Sequence, residues 1–223
     1  VICIYGNHEL MNFDHDFRYV SPEEFKEFIG FCNKDPNCNN NTPGYAERIE
    51  AFKRGGILAK QMSKTHKTIV CIGSWCFVHA GITEKLANKY TIKDINDSFT
   101  NWVMGQSDNR IKELYFSDDD TLSPVWNRQL SDEEDWKGPK SFFSTINNLN
   151  EKNKSDLKTK LKCMAVGHTP QCFSNRGINS ACNYRLWRID AGMSRAFGKV
   201  DENTRRIQIL EIMNDNKVKI LHE

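Results

Sequence analysis

Short apolar runs alternate along the chain with longer segments in which apolar and charged residues mix at helical spacing. This alternation is typical of an α/β domain, in which amphipathic helices separate buried strands. Residues 1–5, 68–72, 75–79 and 163–166 are apolar runs with the length of buried strands. Gly73-Ser74 joins the second run to the third, and a two-residue connection that begins with glycine predicts a tight β-hairpin.

Helix and turn signals divide the rest of the chain. Ser21-Pro22-Glu23-Glu24 combines a capping side chain, a proline at the first helical position and acids in the first turn, which predicts a helix start. The predicted helices cover residues 21–32, 45–54, 57–63, 83–90, 91–104 and 141–162. Further predicted strands cover residues 184–189, 206–213 and 217–221, the last two forming a hairpin around 214–216. No internal repeat or linker is visible, so we expect a single domain over residues 1–223.

Length and charge limit the classes of function. A chain of 223 residues can bury a sizeable core. A formal net charge of +2 gives neither the basic footprint of a nucleic-acid-binding protein nor an acidic tail, so we expect no nucleic-acid partner. No apolar run approaches the length of about 18 residues that a membrane span needs. We expect a cytoplasmic protein.

The eight cysteines fall into two groups. Those in apolar, strand-like runs are Cys3, Cys71, Cys76 and Cys163. Those in predicted loops are Cys32, Cys38, Cys172 and Cys182. A free thiol in an apolar run packs as a small hydrophobe, whereas the loop cysteines could pair or stay free. None forms a Cys-x-x-Cys pair, so we expect free thiols rather than a disulfide framework or a zinc ribbon.

Three predicted strands end in a polar motif that contains histidine: Gly-Asn-His-Glu at residues 6–9, His-Ala-Gly at 79–81 and Gly-His-Thr at 167–169. Strand ends in a layered α/β protein converge on one crevice. Each motif also has a glycine beside its histidine or close to it, which allows close approach of backbone or ligand. The three motifs therefore predict one shared site.

The side chains of these motifs suit metal-dependent chemistry. Asn7 offers an amide oxygen, and His79 and His168 offer imidazole nitrogens, which together suit a borderline metal such as manganese, iron or zinc. A pair of such ions can activate a water for attack on phosphorus. His8 is adjacent to the predicted ligand Asn7 and cannot easily share its metal, so it suits the role of general acid towards the leaving alcohol.

Single residues of this kind have ordinary structural explanations, and only the coincidence of the three motifs favours a metal site. A strand-end histidine is more often hydrogen-bonded than a ligand, and Gly-Asn is a common turn pair. His15, His66 and His222 lack the strand-end context and are expected to be ordinary surface residues. Asp14-His15-Asp16 follows no buried strand and is not expected to hold a metal.

Motifs across nearly the whole chain resemble those of the calcineurin-like metallophosphoesterases and, within them, the Shewanella-like protein phosphatases. The segments that carry the resemblance, in family order, are residues 6–12, 16–20, 55–58, 77–82, 124–128, 166–169 and 190–198. The histidine motifs specify only the superfamily, whereas Asp-Ala-Gly-Met-Ser-Arg-Ala-Phe-Gly at 190–198 points to the Shewanella-like branch.

The resemblance implies a fold, a cofactor and site residues. The implied fold is the four-layer α/β/β/α sandwich of the calcineurin-like metallophosphoesterases, here lacking its first strands. The implied activity is hydrolysis of phosphomonoesters on serine, threonine or tyrosine of a phosphoprotein by a water that two divalent metal ions activate. Asn7, His79 and His168 would ligate the second metal, and His8 would be the general acid. Arg128 and Arg195 would bind the substrate phosphate, because the planar guanidinium fork matches phosphate oxygens.

Two acidic motifs of the family, Asp-x-His and Gly-Asp-x-x-Asp-Arg, do not occur in residues 1–223. They would supply the first metal site and the bridging carboxylate, so we expect at most one well-formed half-site and poor activity from this chain alone. Smaller departures are Asn127, where the family often has tyrosine, and Ala80, where many members have glycine. Two alternatives stay open: hydrolysis of dinucleoside polyphosphates, and a catalytically incomplete domain that binds phosphate or metal.

Overall fold

The computed structural model describes residues 1–31, 42–132, 138–197 and 207–222, with the Arg195 side chain excepted. The α-helices are α1 Asn7–Phe13, α2 Pro22–Lys26, α3 Tyr45–Ala51, α4 Ile57–Thr65, α5 Glu84–Lys89, α6 Ile92–Val103, α7 Ile111–Tyr115 and α8 Gly138–Lys152. The strands are β1 Cys3–Ile4, β2 His66–Lys67, β3 Ile69–Ile72, β4 Trp75–Val78, β5 Cys163–Val166, β6 Asn179–Ala181, β7 Leu186–Arg188, β8 Gln208–Met213 and β9 Lys217–His222. Short 3-10 turns occur at Asp120–Leu122, Gln171–Ser174 and Arg195–Phe197.

A five-stranded mixed sheet with the order β3-β4-β5-β7-β6 organises the chain. Its three central strands are parallel, with Val78 opposite Val166 and Val166 opposite Arg188. β3 and β6 pair antiparallel at the two edges. Because β4, β5 and β7 end level with one another, the loops that follow them meet at one edge of the sheet.

Two hairpins have the turns that the sequence predicts. Gly73, with φ of 57°, takes the first central position of the β3–β4 turn, and the register pairs Ile72 with Trp75 across it. In the β8–β9 turn, Asn214 and Asp215 have φ of 50° and 64°, the left-handed pair that a type I′ turn requires. The Asp215 carboxylate accepts a hydrogen bond from the Ser74 amide at 2.8 Å, which joins the two turns.

The two faces of the sheet bury different cores. On one face, β4 and β5 present Cys76, Val78 and Met164 to a large cluster shared with the helices. On the other face, Trp75 and Trp187 pack under the β8–β9 hairpin. The side chains of the hairpin that cover this smaller core are Leu210, Ile212, Val218 and Ile220. Helices, the five-stranded sheet and a second β-layer thus form the predicted α/β sandwich.

Several helix ends differ from their predicted positions. The helix at residue 22 ends at Lys26 instead of about residue 32, and Gly30 in the following turns has φ of 90°. α8 ends at Lys152 instead of about residue 162, because the Asn150 side chain bonds both the amide and the carbonyl of Leu161 and so turns the chain back. α7, β2 and β6 were not predicted. In the part of the chain that the structure describes, no helix is both long and apolar enough to cross a membrane.

Candidate metal centre

Asn7 is the first residue of α1 and follows the two-residue strand β1. β1 pairs in parallel with β2, and Tyr5 continues the pairing through its amide to the Lys67 carbonyl at 2.9 Å. The Tyr5 ring is fully buried and stacks on Phe99. At the helix start, the Glu9 carboxylate accepts the Gly6 amide at 2.7 Å. These contacts hold the buried side chain of Asn7 at the carboxyl end of β1.

His79 follows β4 directly and lies against the Gly6 backbone. A Cβ atom at Gly6 would be 2.8 Å from both Cε1 and Nδ1 of the His79 ring. That distance is shorter than real Cβ contacts, so the ring can occupy its position only beside a glycine. The loop beyond His79 is fixed by the Ala80 amide, which donates to the Pro124 carbonyl at 2.9 Å, and by Asn127, which donates to the Gly81 carbonyl at 2.9 Å.

His168 follows β5 after one intervening residue, Gly167, whose amide donates to the His79 carbonyl at 2.7 Å. His168 itself has φ of 67°, a left-handed conformation that is uncommon outside glycine and that surrounding contacts must maintain. Part of that support comes from Gln171, whose side-chain amide donates to the backbone carbonyl of Thr169 at 2.9 Å.

The three predicted ligand side chains converge on one point. His79 Nε2 lies 2.8 Å from Asn7 Oδ1 and 3.1 Å from His168 Nδ1. Two donor atoms that each lie about 2.1 Å from one metal ion are about 3 Å apart when they occupy adjacent coordination positions. The spacing therefore fits the donor set of one divalent ion. Among the described residues, no group of three His, Cys, Asp or Glu side chains could hold a metal, so the amide oxygen of Asn7 is needed to complete the trio.

Both imidazoles are held in the neutral form that a metal requires. Burial, together with the nearby charges of His8 and Arg128, lowers the pKa of His79 to about 4. Burial together with His79 and Arg128 lowers the pKa of His168 to about 3. His168 Nε2 is buried and makes no hydrogen bond of ordinary geometry in the described part, although the Trp126 carbonyl is close enough to raise the pKa of the ring.

His8 lies beside this trio and is exposed to solvent. Its ring stacks on Tyr19 with centroids 5.5 Å apart, and its charge is close enough to lower the pKa of His79. The backbone carbonyl of His8 accepts the Asn12 side-chain amide at 2.7 Å, which steadies the first turn of α1. His8 is thus an accessible imidazole next to Asn7 in the chain and close enough to His79 for their charges to interact, and its role as general acid stays a prediction.

Of the two predicted phosphate-binding arginines, the structure places Arg128 at the site. Its Nη1 donates to the Thr169 hydroxyl at 3.1 Å, and that hydroxyl lies 2.6 Å from the Ser131 hydroxyl. Arg128 is half-buried and lowers the pKa of His79 and of His168. The backbone of Arg195 lies in the 3-10 turn Arg195–Phe197, while its side chain and Gly198 lie outside the described residues.

A cavity of about 540 Å³ opens beside His168 and Arg128. Trp126 forms part of its wall, and its ring meets the His168 ring edge-on with centroids 6.0 Å apart. Asp14 and Asp16, set aside as ligands by the sequence analysis, also line the cavity but are not among the converging donors. Asp16 bonds Arg18 at 2.6 Å, and that interaction lowers the pKa of the carboxyl group.

Sequence reasoning missed the residues that support the site. Thr169, Ser131 and Gln171 connect the loop of His168 to Arg128 through side-chain hydrogen bonds. Asp190, at the end of β7, accepts the Gly192 amide at 3.0 Å, and burial raises the pKa of its carboxyl group. The sequence did contain a signal for such residues. Polar residues follow each of the parallel strands, and the ends of those strands lie at one edge of the sheet.

Comparisons with known proteins place the chain among relatives. None of the protein-family models matches the chain. Among curated proteins, the uncharacterized protein R398 of Acanthamoeba polyphaga mimivirus is 31% identical over 240 residues, covering 99% of this chain and 91% of its own length. Shewanella-like protein phosphatase 2 of Arabidopsis thaliana is 28% identical over 99% of this chain. The chain belongs to the Shewanella-like protein phosphatase family.

Other members of the family match over different shares of their length. Shewanella-like protein phosphatase 1 of Plasmodium berghei is 27% identical over 87% of this chain. The chain spans 59% of the Arabidopsis protein and 48% of the Plasmodium protein. Among solved structures, the cold-active protein-tyrosine phosphatase of a psychrophilic Shewanella species has a TM-score of 0.54 and 18% identity, covering 99% of this chain and 58% of that one. This likeness supports the α/β sandwich of the family.

Proposed function

We propose that this member of the Shewanella-like protein phosphatase family is a metal-dependent phosphoprotein phosphatase. The observation that carries the proposal is the convergence of Asn7, His79 and His168, whose donor atoms lie 2.8 and 3.1 Å apart. The printed names of relatives, protein phosphatases in Arabidopsis and Plasmodium, support the same class of reaction. The substrate is a phosphomonoester on serine, threonine or tyrosine.

The donor set fits one divalent ion of the borderline class: manganese, iron or zinc. Asn7, His79 and His168 would hold it as the second metal of the pair of ions that the family chemistry uses. When bound, such ions supply Lewis acidity that lowers the pKa of a water and offsets charge on the phosphate. Neither Asp-x-His nor Gly-Asp-x-x-Asp occurs in residues 1–223, so the motifs that would supply the first metal site and the bridging carboxylate are not among these residues.

The chain's own side chains have separate tasks in this proposal. His8 holds a proton on an exposed imidazole nitrogen and delivers it to the leaving oxygen of the alcohol. Arg128 directs its guanidinium at the phosphate oxygens, and Thr169 fixes its orientation through the 3.1 Å hydrogen bond. Arg195 is proposed as a second phosphate contact on the strength of the family resemblance alone.

Turnover separates this proposal from the hydrolysis of dinucleoside polyphosphates. The manganese-loaded chain is incubated in excess over peptides that carry phosphoserine, phosphothreonine or phosphotyrosine, and over diadenosine tetraphosphate. We expect slow phosphate release from at least one peptide and none from the dinucleotide. His8→Ala should reduce release by about 10²–10⁴-fold while metal binding persists, because general acid catalysis contributes about that much. His222→Ala, an exposed histidine on β9, is the matched control. Turnover of the dinucleotide but of no peptide would contradict the proposal.

The missing acidic motifs favour a second candidate, a domain that binds metal or phosphate without catalysis. In that case the chain binds a divalent ion but releases no phosphate from any of the four substrates. Reading the codons upstream of Val1 distinguishes the two candidates at little cost. If they encode Asp-x-His and Gly-Asp-x-x-Asp, the longer chain carries the full donor set and the enzyme proposal predicts faster turnover from it.

A further inference from the structure

Cys71 and Cys76 face each other directly across the β3–β4 hairpin. They are one pair further from the two-residue turn than Ile72 and Trp75. Antiparallel pairs alternate between hydrogen-bonded and non-hydrogen-bonded kinds, and the second pair from a two-residue turn is of the non-hydrogen-bonded kind, with Cα atoms about 4.5 Å apart. A disulfide needs Cα atoms roughly 4.4–6.8 Å apart. The strand pairing therefore already holds the two thiols within the range of a bond.

The two thiols differ in access. Cys76 is fully buried in the core, whereas Cys71 is half-buried and lines an open cavity of about 370 Å³. Lys67, Lys93 and Asn96 line the same cavity. A small thiol-reactive molecule can thus reach Cys71 from solvent but can reach Cys76 only through Cys71.

The two thiols also differ in acidity. A hydrogen bond from the Cys76 thiol lowers the pKa of Cys71, because it favours the thiolate. The same hydrogen bond and burial raise the pKa of Cys76. Since the thiolate is the nucleophile, the accessible thiol is also the one that is readier to react.

We propose that Cys71 and Cys76 form a redox-modification site that reacts with a small-molecule disulfide. The Cys71 thiolate attacks one sulfur of the reagent, which forms a mixed disulfide and releases one thiolate. Cys76 then attacks the Cys71 sulfur, gives up its proton to the solvent or the leaving thiolate, and releases the second thiol. Two protein thiols are oxidised to one disulfide, and the reagent is reduced to two thiols.

Other described cysteines lack this arrangement. Cys163 on β5 lies opposite Trp75, and burial raises the pKa of its thiol. Cys172 and Cys182 are buried. All six described cysteines are free in the structure, as predicted for the strand group, while Cys32 and Cys38 lie outside the described residues. Cys163 therefore serves as a control thiol of similar exposure without a facing partner.

Oxidised glutathione tests the site on the whole 223-residue chain. After incubation, free thiols are blocked with N-ethylmaleimide and the chain is digested with trypsin without reduction. Cleavage after Lys67 and Lys85 places both cysteines in one peptide, residues 68–85. We expect this peptide to lose the mass of two hydrogens and to take up no blocking reagent, after passing through a glutathione adduct on Cys71.

Three variants make the test specific. Cys76→Ala should trap the glutathione adduct on Cys71, Cys71→Ala should leave Cys76 reduced, and Cys163→Ala should oxidise in the same way as the original chain. A peptide 68–85 that keeps two blocked thiols would overturn the proposal, as would glutathione spread equally over Cys3, Cys71 and Cys163. If Cys76→Ala does not fold, two measurements still test the proposal. They are the time course of oxidation of the original chain and the state of Cys76 in the Cys71→Ala variant.

Discussion

The two imidazoles of the candidate site and its amide are supported in different ways. His79 and His168 follow β4 and β5, which are paired neighbours inside the five-stranded sheet. Asn7 follows β1, a two-residue strand that pairs only with β2 among the described residues. Sheet pairing therefore positions the imidazoles, whereas packing around β1 and α1 must position the amide. The position of Asn7 therefore depends on contacts that the Gly-Asn-His-Glu motif itself does not reveal.

One such contact network centres on Arg48. Its guanidinium is buried, and its Nε donates to the Asn12 side chain at 2.9 Å, which in turn bonds the His8 carbonyl at 2.7 Å. The aromatic rings around it, at 4.7 to 5.8 Å, are Phe17, Phe25, Phe28 and Phe52. Burial lowers the pKa of Arg48 from its usual value. The network fastens α1 to α3 and the segment around α2.

Among variants that test the difference between the two parts of the site, Gly6→Ala is expected to have the largest effect. The added methyl group would lie 2.8 Å from the His79 ring and force apart the two halves of the site. We expect metal affinity to fall about 100-fold and the free energy of unfolding to fall by about 1–3 kcal/mol, as for other overpacked sites. Gly167→Ala is the matched control, because its Cβ would meet nothing nearer than the His79 carbonyl at 3.5 Å. Equal losses in both variants would contradict this account of the close approach.

An intermediate effect is expected from Arg48→Met, which removes the charge and the hydrogen bonds but keeps much of the apolar bulk. Chemical denaturation should show a loss of about 2 kcal/mol, the scale of a desolvated cation–π contact together with a buried hydrogen bond. Metal affinity should fall by less than about tenfold, because the imidazoles stay in place. Arg54 is the control, because its guanidinium lies over the Trp102 ring at 5.0 Å but is exposed. Arg54→Met should lower the free energy of unfolding by only about 0.5–1 kcal/mol. Unchanged stability together with unchanged metal affinity in Arg48→Met would mean that α1 is not held through Arg48 and Asn12.

The smallest effect is expected from Thr169→Val, which changes the residue that follows the imidazole ligand His168. Losing the hydroxyl frees Arg128 without disturbing the metal ligands, so binding of inorganic phosphate to the metal-loaded chain should weaken about fivefold, the worth of about 1 kcal/mol. Thr169→Ser keeps the hydroxyl and should restore binding, whereas metal affinity should stay unchanged in both variants. If Thr169→Val and Thr169→Ser bind phosphate equally, Thr169 does not orient Arg128.

The sequence could predict the strand-end residues and the turns, because both depend on short-range signals. The glycine of the β3–β4 turn and the Asn-Asp pair of the β8–β9 turn have backbone angles that few other residues adopt, which makes such turns predictable. The structure confirmed both hairpins. Asn7, His79 and His168 were found because each follows an apolar run, although their role as ligands stays a prediction.

The supporting residues could not be predicted, because their partners are distant in the chain. Arg48 contacts Asn12 on another helix, and Thr169 contacts Arg128 and Ser131 from a different loop. Nothing in the residues around Arg48 indicates a buried arginine, and the four aromatic rings around it are collected only by the fold. The end of α8 was misplaced for the same reason, since Asn150 caps a segment that returns to it at Leu161.

Titration of the 223-residue chain with zinc or manganese tests the central claim most directly. Isothermal calorimetry should show one ion bound per chain, and His79→Ala and His168→Ala should each weaken binding by at least about 100-fold, since removal of a direct ligand costs more than loss of a supporting contact. His222→Ala should bind as the original chain does. Unchanged affinity in both His79→Ala and His168→Ala would show that the three converging side chains do not hold a metal.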